Sequence, residues 1–421
     1  MCSSTPRSRP RGESNCSAGW AEPSFASDRM NPALRIFFCL IVAALTPMRA
    51  AYAPVPETDE GRDLVVRVRT AIAHDSNLFG AASGAIDSSV YTVAPGVNWN
   101  RSLTERTFLS ASYALTLDRF DRRPGDKLLD SHDASLRLAH AFSQSTVLDL
   151  NNAFMVARNP ESLLAGVKVN ADQSFLRNQF DGRFTVPLAP KVTGTAKVRS
   201  ALYEYRDSDL SRALDRIENL LGLAADYAVL PEVKAVAEYR HQDIHYSKLG
   251  ELKNKRSDYV MAGADYELAR KLTVSGRAGL EWRSRQGERS AIAPYAEFSG
   301  KYAYAQRAFV LGGVGYSLEE TSDTARFNDS QALRAFITLQ HPLTALIVVS
   351  GSVSLEPSTL QGRRGQADVS ETTVRTGVTL SYLPTPKWLL AASVDLDRAD
   401  SDDAVRNLRR TRFSVNATRS F

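Results

Sequence analysis

The sequence predicts an all-β fold: a transmembrane up-and-down antiparallel β-barrel of about 18 strands, with short periplasmic turns and longer extracellular loops. Three observations carry this expectation. Apolar and polar residues alternate over segments of about ten residues, short and long connections take turns along the chain, and no apolar run after residue 53 approaches the roughly 20 residues of a spanning helix.

The first segments stand outside that fold. Residues 1–29, rich in Arg, Ser and Pro, are expected to be a disordered leader or an over-extended start. Residues 30–53 read as a cleaved signal peptide: a short basic entry to Arg35, an apolar run from Ile36 to Leu45, and Ala51-Tyr52-Ala53 before the expected cut. Residues 54–62 are then a short periplasmic N-terminal segment, and 63–421 the barrel. All three cysteines, Cys2, Cys16 and Cys39, lie before the cut, so the remainder has no disulfide, thiolate metal site or thiol nucleophile. Removing the six arginines and three acids of residues 1–53 lowers the net charge from +5 to +2, and nucleic acid is not an expected partner.

The alternation is clearest where Leu109, Ala111, Tyr113, Leu115 and Leu117 oppose Ser110, Ser112, Ala114, Thr116 and Asp118. Leu272, Val274, Ala278, Leu280 and Trp282 likewise oppose Thr273, Ser275, Arg277, Gly279, Glu281 and Arg283. Near the end, Phe413, Val415, Ala417 and Phe421 oppose Arg412, Ser414, Asn416, Thr418 and Ser420. Period two is the signature of a strand with two unlike faces.

Short turns are expected at residues 102–105, 143–146, 187–190, 230–232, 269–271, 305–307, 341–344 and 383–386, and eight such turns make nine hairpins. Between them lie longer polar stretches at 121–130, 159–173, 207–215, 248–257, 321–330, 357–368 and 399–406. A repeat of about 40 residues also suits propellers and helical arrays. A blade needs four strands where each unit here holds two, and helical repeats fail on periodicity. In hydrocarbon every backbone N–H and C=O needs an internal partner, so strands cross only as a closed sheet without free edges.

Aromatic girdles are expected from Tyr91, Trp99, Phe108, Tyr239, Tyr259, Trp282, Tyr302, Tyr304, Tyr382 and Trp388, which lie near strand ends. The terminal Phe421, preceded by Phe413 and Val415, resembles the C-terminal signature read by the barrel-assembly machinery of bacterial outer membranes. Residues 74–79, His-Asp-Ser-Asn-Leu-Phe, resemble the Tyr-Asp-Asp-Asn-Ile/Leu-Phe corner of the β-barrel porin 2 family, with His74 in place of Tyr and Ser76 in place of the second Asp. That resemblance implies an outer-membrane barrel of a Gram-negative bacterium, in a family with some members tied to extracellular polysaccharide export, and no catalytic residues.

Charged side chains on a lipid face cost roughly 2–4 kcal/mol near the midplane, so the many charges within strands are expected to face a wet lumen. The candidate lumen-lining residues are Arg67, Arg69, Arg137, Arg177, Arg183, Arg277, Arg283, Arg375, Asp181, Asp226, Asp265 and Glu281. Eighteen strands leave room for an aqueous channel. The leading expectation is a passive channel for small polar or charged solutes. The alternatives are a component of polysaccharide export and a non-conducting structural barrel. Lipid and lipopolysaccharide are the expected surroundings, with no cofactor, and the oligomeric state is left open.

Other chemistry is weighed and set aside. His241, Asp243 and His245 share a strand face, a candidate metal cluster whose plainer reading is a solvated strand end. Ser131-His132-Asp133 has the letters of a hydrolytic triad, yet adjacent strand residues point to opposite faces. Gly312-Gly313-Val314-Gly315 lacks the helix a phosphate loop requires, and glycines here more often mark close contacts. The acids Asp395, Asp397, Asp400, Asp402 and Asp403 are a candidate for holding divalent ions that bridge surface lipopolysaccharide at the loop end, and their plainer reading is a solvated loop.

Overall fold

The computed structural model describes residues 63–157, 174–248, 250–268, 271–285, 290–321, 323, 326–363 and 365–421. The expected leader, signal peptide and N-terminal segment lie outside the described residues, as do the 159–173 connection and Ala269 and Arg270 of one turn.

Eighteen strands follow one another along the chain. They are β1 (Leu64–Asp75), β2 (Ser88–Thr104), β3 (Thr107–Phe120), β4 (Leu128–Ala141), β5 (Val147–Ala157) and β6 (Phe175–Ala189). Next come β7 (Val192–Tyr205), β8 (Arg216–Leu230), β9 (Val233–Tyr246), β10 (Lys255–Leu268), β11 (Leu272–Arg285) and β12 (Ala291–Ala305). The last are β13 (Ala308–Glu319), β14 (Phe327–Pro342), β15 (Ile347–Gly362), β16 (Val369–Thr385), β17 (Trp388–Ser401) and β18 (Leu408–Ser420). Two short helices, α1 (Ser208–Leu214) and α2 (Gly250–Lys253), sit in the β7–β8 and β9–β10 connections.

Every strand pairs antiparallel with its neighbours in sequence, and β1 pairs with β18 from Arg67↔Ser420 to Asp75↔Arg412. The sheet is therefore closed, and no strand is left as a free edge. The strands alternate between a rim of short turns and a rim of longer loops, the arrangement expected of periplasmic and extracellular sides.

Most of the turns sit near their expected positions, with one consistent difference. Strands run further than polar composition suggests: β15 continues to Gly362, β10 begins at Lys255, and β16 reaches Thr385 through Pro384. Ladder pairing holds those residues, Lys255 to both neighbours, Gly362 to Phe327 and Thr385 to Trp388, and bulges at Ser102/Thr104, Pro187/Ala189, Ala228/Leu230, Ala303/Ala305 and Tyr382/Thr385 tighten the short turns.

The register separates two faces. One carries exposed apolar side chains, among them Ile72, Leu136, Leu221, Val260, Ile292 and Val378. Polar side chains there find partners across the strands: Asn152 donates to Asn178 at 3.0 Å, and the Ser200 hydroxyl to Asn219 at 2.8 Å. Phe413, Val415 and Phe421 belong to this apolar face, and the Phe421 N–H donates to the Val66 carbonyl at 2.8 Å. Tyr91, Trp99, Tyr239, Trp282, Tyr302, Tyr304, Tyr382 and Trp388 also share it. Tyr259 and Phe108 do not. Tyr259 pairs with Glu281 and packs edge-on against Tyr295, 5.4 Å between ring centres, on the polar face. Nearness to a strand end says nothing of parity, and parity decides the face.

The His74–Phe79 corner has a structural job at the closure. The Asp75 carboxylate accepts from Arg410 of β18, with Nε at 2.9 and 3.0 Å, and from the Asn77 N–H at 3.0 Å. Asn77 donates to the Ala81 carbonyl at 2.8 Å and to the Arg409 carbonyl at 3.1 Å. Leu78 then buries against Val90, Phe120 and Leu129. First and last strands are thus clasped by a buried ion pair, and removing one partner of such a pair costs about 3–5 kcal/mol.

Candidate functional site

The second face is polar, and period two puts its members there by construction. Arg67 and Arg69 of β1 share it, as do Arg137, Arg177, Asp181, Arg183, Asp226, Asp265, Arg277, Glu281, Arg283 and Arg375. Cross-strand register then brings opposite charges together. Arg137 makes a paired contact to Asp149, both bonds 2.9 Å. The Asp181 carboxylate accepts from Arg199 at 2.6 Å, and Asp265 accepts from Arg277 at 2.9 Å. The two-pronged contact of Arg137 fixes orientation as well as charge.

Two larger groups join strands that are not neighbours. Glu238 of β9, almost fully buried, accepts from Lys197 of β7 and from Arg240, each at 2.8 Å. Arg240 reaches on to Glu297 and Tyr295 of β12, at 3.0 and 3.1 Å. Towards the long-loop rim, Arg283 of β11 donates to Glu281 at 2.7 Å, to the Leu318 carbonyl at 3.0 Å, and to Asp329 of β14. Lys255 and Arg285 also meet Asp329, and Lys255 meets Glu320. Burial here is nearly complete, with Glu281 at 0% and Asp329 at 2% exposure. Charges so deeply removed from water persist only when paired, and each of these is.

The β14–β18 stretch of the same face differs. Ser350, Ser352, Ser354, Ser393 and Ser414 present short hydroxyls, and Ser393 meets Ser414 at 2.7 Å. A cavity of about 300 Å³ opens there, lined among others by Phe336, Ser352, Arg375, Gly377, Asp395 and Arg412. Phe336, 39% exposed, is the one large apolar side chain this open on the polar face among the described residues, clear of the turns.

Sequence reasoning missed Lys255, Asp329 and Phe336. Lys255 was expected in a loop. Asp329 lies in a bulge between Phe327 and Ser330, which breaks the parity that alternation relies on. Phe336 was readable, since it alternates with Arg334 and Thr338.

The set-aside motifs resolve into local partners. His241 lies 2.8 Å from Asp258, Asp243 accepts from Arg256 at 3.0 Å, and His245 lies 3.0 Å from Asn254. Ser131 and His132 fall on opposite faces, and His132 lies 3.0 Å from Asp130. Asp395 and Asp397 sit on the polar face, whereas Asp400 pairs with Arg398 on the other and Asp403 accepts from Arg326 at 2.8 Å. Among the described residues no group of three or more His, Cys, Asp or Glu is placed to hold a metal ion.

These features define an outer-membrane β-barrel: a closed 18-stranded antiparallel sheet with an apolar belt on one face and charges on the other. No protein-family model and no curated protein matches the chain. Among solved structures, it is similar to OccAB3 of Acinetobacter baumannii, at 10% identity and a TM-score of 0.46, covering 85% of this chain and 99% of that one. It is similar at 10% identity and a TM-score of 0.44 to OpdK of Pseudomonas aeruginosa, described with vanillate, covering 85% and 99%. The copper transporter OprC is 13% identical with a TM-score of 0.43, over 82% of this chain, which spans 63% of the transporter's length. At such identities and TM-scores these likenesses carry no argument about solute or mechanism.

Proposed function

We propose that the protein is a passive outer-membrane channel for small polar or charged solutes, its lumen lined by the arginines and carboxylates of the polar face. One observation carries this reading: side chains on strands two to four apart meet on that face, as in Arg240–Glu297 and Lys255–Asp329. Chords of that kind need a concave surface, so the polar side chains lean into the hollow of the closed sheet. Apolar side chains are left for lipid and lipopolysaccharide.

Opposed positive and negative side chains then put a transverse field across the water they border, which orients polar solutes and sorts ions by sign. Phe413, Val415 and Phe421 serve the barrel-assembly machinery as an outward-facing terminal signal. The buried Asp75 and Asn77 support kinship with the β-barrel porin 2 family, since they are the residues of the shared corner that hold the closure together.

Reconstitution of the signal-free chain in planar bilayers tests the proposal. Stepwise conductance is expected, and folded, inserted protein that never conducts would overturn it in favour of a structural barrel. Replacing Arg277 and Arg375 together by Glu is expected to preserve heat-resistant folding and shift ion selectivity towards cations.

A further inference from the structure

The cavity beside Gly377 has a composition that the rest of the polar face lacks. Cross-strand register sets Phe336, Ser354, Arg375 and Asp397 in one row on β14 to β17. Thr338, Ser352, Gly377, Asp395 and Arg412 form the next row, on β14 to β18. Rows in a sheet repeat at roughly 7 Å along the strand and strands at about 4.8 Å, so these groups ring a space the size of a small organic molecule.

Gly377 opens the space. A Cβ there would stand 2.8 Å from the Asp395 Oδ1, so only glycine lets that carboxylate lean over the notch. Gly313 performs the same service for the aromatic wall: a Cβ would lie 2.8 Å from the Phe336 ring, so glycine lets the ring pack close over β13. Phe336 keeps 39% exposure there, on the face that carries the charges. An apolar ring kept in that position is unfavourable without something to cover it.

The cavity's charges sum to zero, two guanidiniums against two carboxylates, with the acids on the middle strand and the arginines on either side. A simple anion is drawn to Arg375 and repelled by Asp395 and Asp397. A simple cation meets the reverse. A solute gains on both sides only if it bears a carboxylate and an ammonium together, and it covers Phe336 only if it also has an apolar or aromatic group.

Resting on the channel reading, we infer that this cavity is a binding subsite for zwitterionic α-amino acids with apolar or aromatic side chains. The carboxylate pairs with Arg375, the ammonium with Asp395, and the side chain stacks on Phe336. Ser352 supplies a hydroxyl beside the notch.

The test uses L-phenylalanine as probe, on the folded barrel in detergent by titration calorimetry and in bilayers by block of ionic current. Saturable binding and concentration-dependent block are expected. Phenylacetate and phenethylamine, each lacking one charge, are expected to bind at least roughly tenfold more weakly, as loss of one charge-assisted contact implies. Phe336→Ala is expected to weaken L-phenylalanine by roughly two- to tenfold. Gly377→Val is expected to abolish binding while leaving heat-resistant folding, and should it misfold, the ligand series on the natural chain decides alone. Equal binding of phenylacetate, binding of glucose in place of L-phenylalanine, or no binding would overturn the inference. Conductance without block sinks the subsite and spares the channel, whereas calorimetric binding to a barrel that never conducts sinks the channel and spares the subsite.

Discussion

The polar face of β6–β12 and that of β14–β18 obey the same alternation and reach opposite results. The first carries long charged side chains that interlock across several strands, through Lys197, Glu238, Arg240 and Glu297 and through Glu281, Arg283 and Lys255, the two cations reaching over to Asp329 of β14. The second also holds ion pairs, Arg334–Glu356 among them, but around its cavity the long arms give way to Ser352, Ser354 and Gly377, with four charges. Side-chain length makes the difference. Guanidinium and carboxylate arms fill the space above the wall with paired charge, while short hydroxyls leave that space open for water and solute.

The largest effect expected from this contrast is at Arg283. Arg283→Leu leaves Asp329 and Glu281 buried with too few cations, a loss of about 3–5 kcal/mol, read as a lower denaturant midpoint for the detergent-folded barrel. If the midpoint does not move, the interlocked wall is not what holds that region. An equal insult to the apolar face should ignore the contrast. Leu280→Arg beside the charged wall and Val378→Arg beside the hydroxyl wall should each cost roughly 2–4 kcal/mol in lipid vesicles, and clearly unequal losses would show that the walls differ outside as well. On the hydroxyl wall, Ser354→Ala should change stability by no more than about 0.5 kcal/mol, since it removes no charge and leaves no buried group unpaired.

The smallest effect is at the long-loop rim. Asp403 caps the helical turn Ala404–Arg406, accepting from the Val405 N–H, and accepts from Arg326 at 2.8 Å. That Arg326 bond holds the Asp403 carboxyl below its ordinary value of 3.8. The carboxylate is thus favoured in the folded loop, so its contribution is complete above the ordinary value and is lost as pH falls through the lowered one. Amide exchange at Val405 should therefore gain protection between acid and neutral pH, after correction for intrinsic rates. Arg326→Gln should flatten that dependence. An unchanged profile would show that the cap holds the turn without help from Arg326.

Much of this architecture was legible beforehand. Strand number followed from eight short turns, and the facing of residues such as Arg277 and Leu280 followed from alternation, a purely local property. Tyr259 and Phe108 lie near strand ends yet face the polar side, because parity and not nearness to an end sets the face. The corner residues Asp75 and Asn77 stood out as a motif, but their partner, Arg410, lies on the last strand, 335 positions away.

The sequence by itself determined that these strands have an oily side and a wet side, because neighbouring residues on an extended chain must point in opposite directions. It could not determine which arginine meets which carboxylate, how the bulge at Phe327/Ser330 turns Asp329 into the charge cluster, or that Phe336 and Gly377 line one cavity. Those depend on the stagger between strands and on the curvature of the closed sheet, and both are set only when the first strand finds the last.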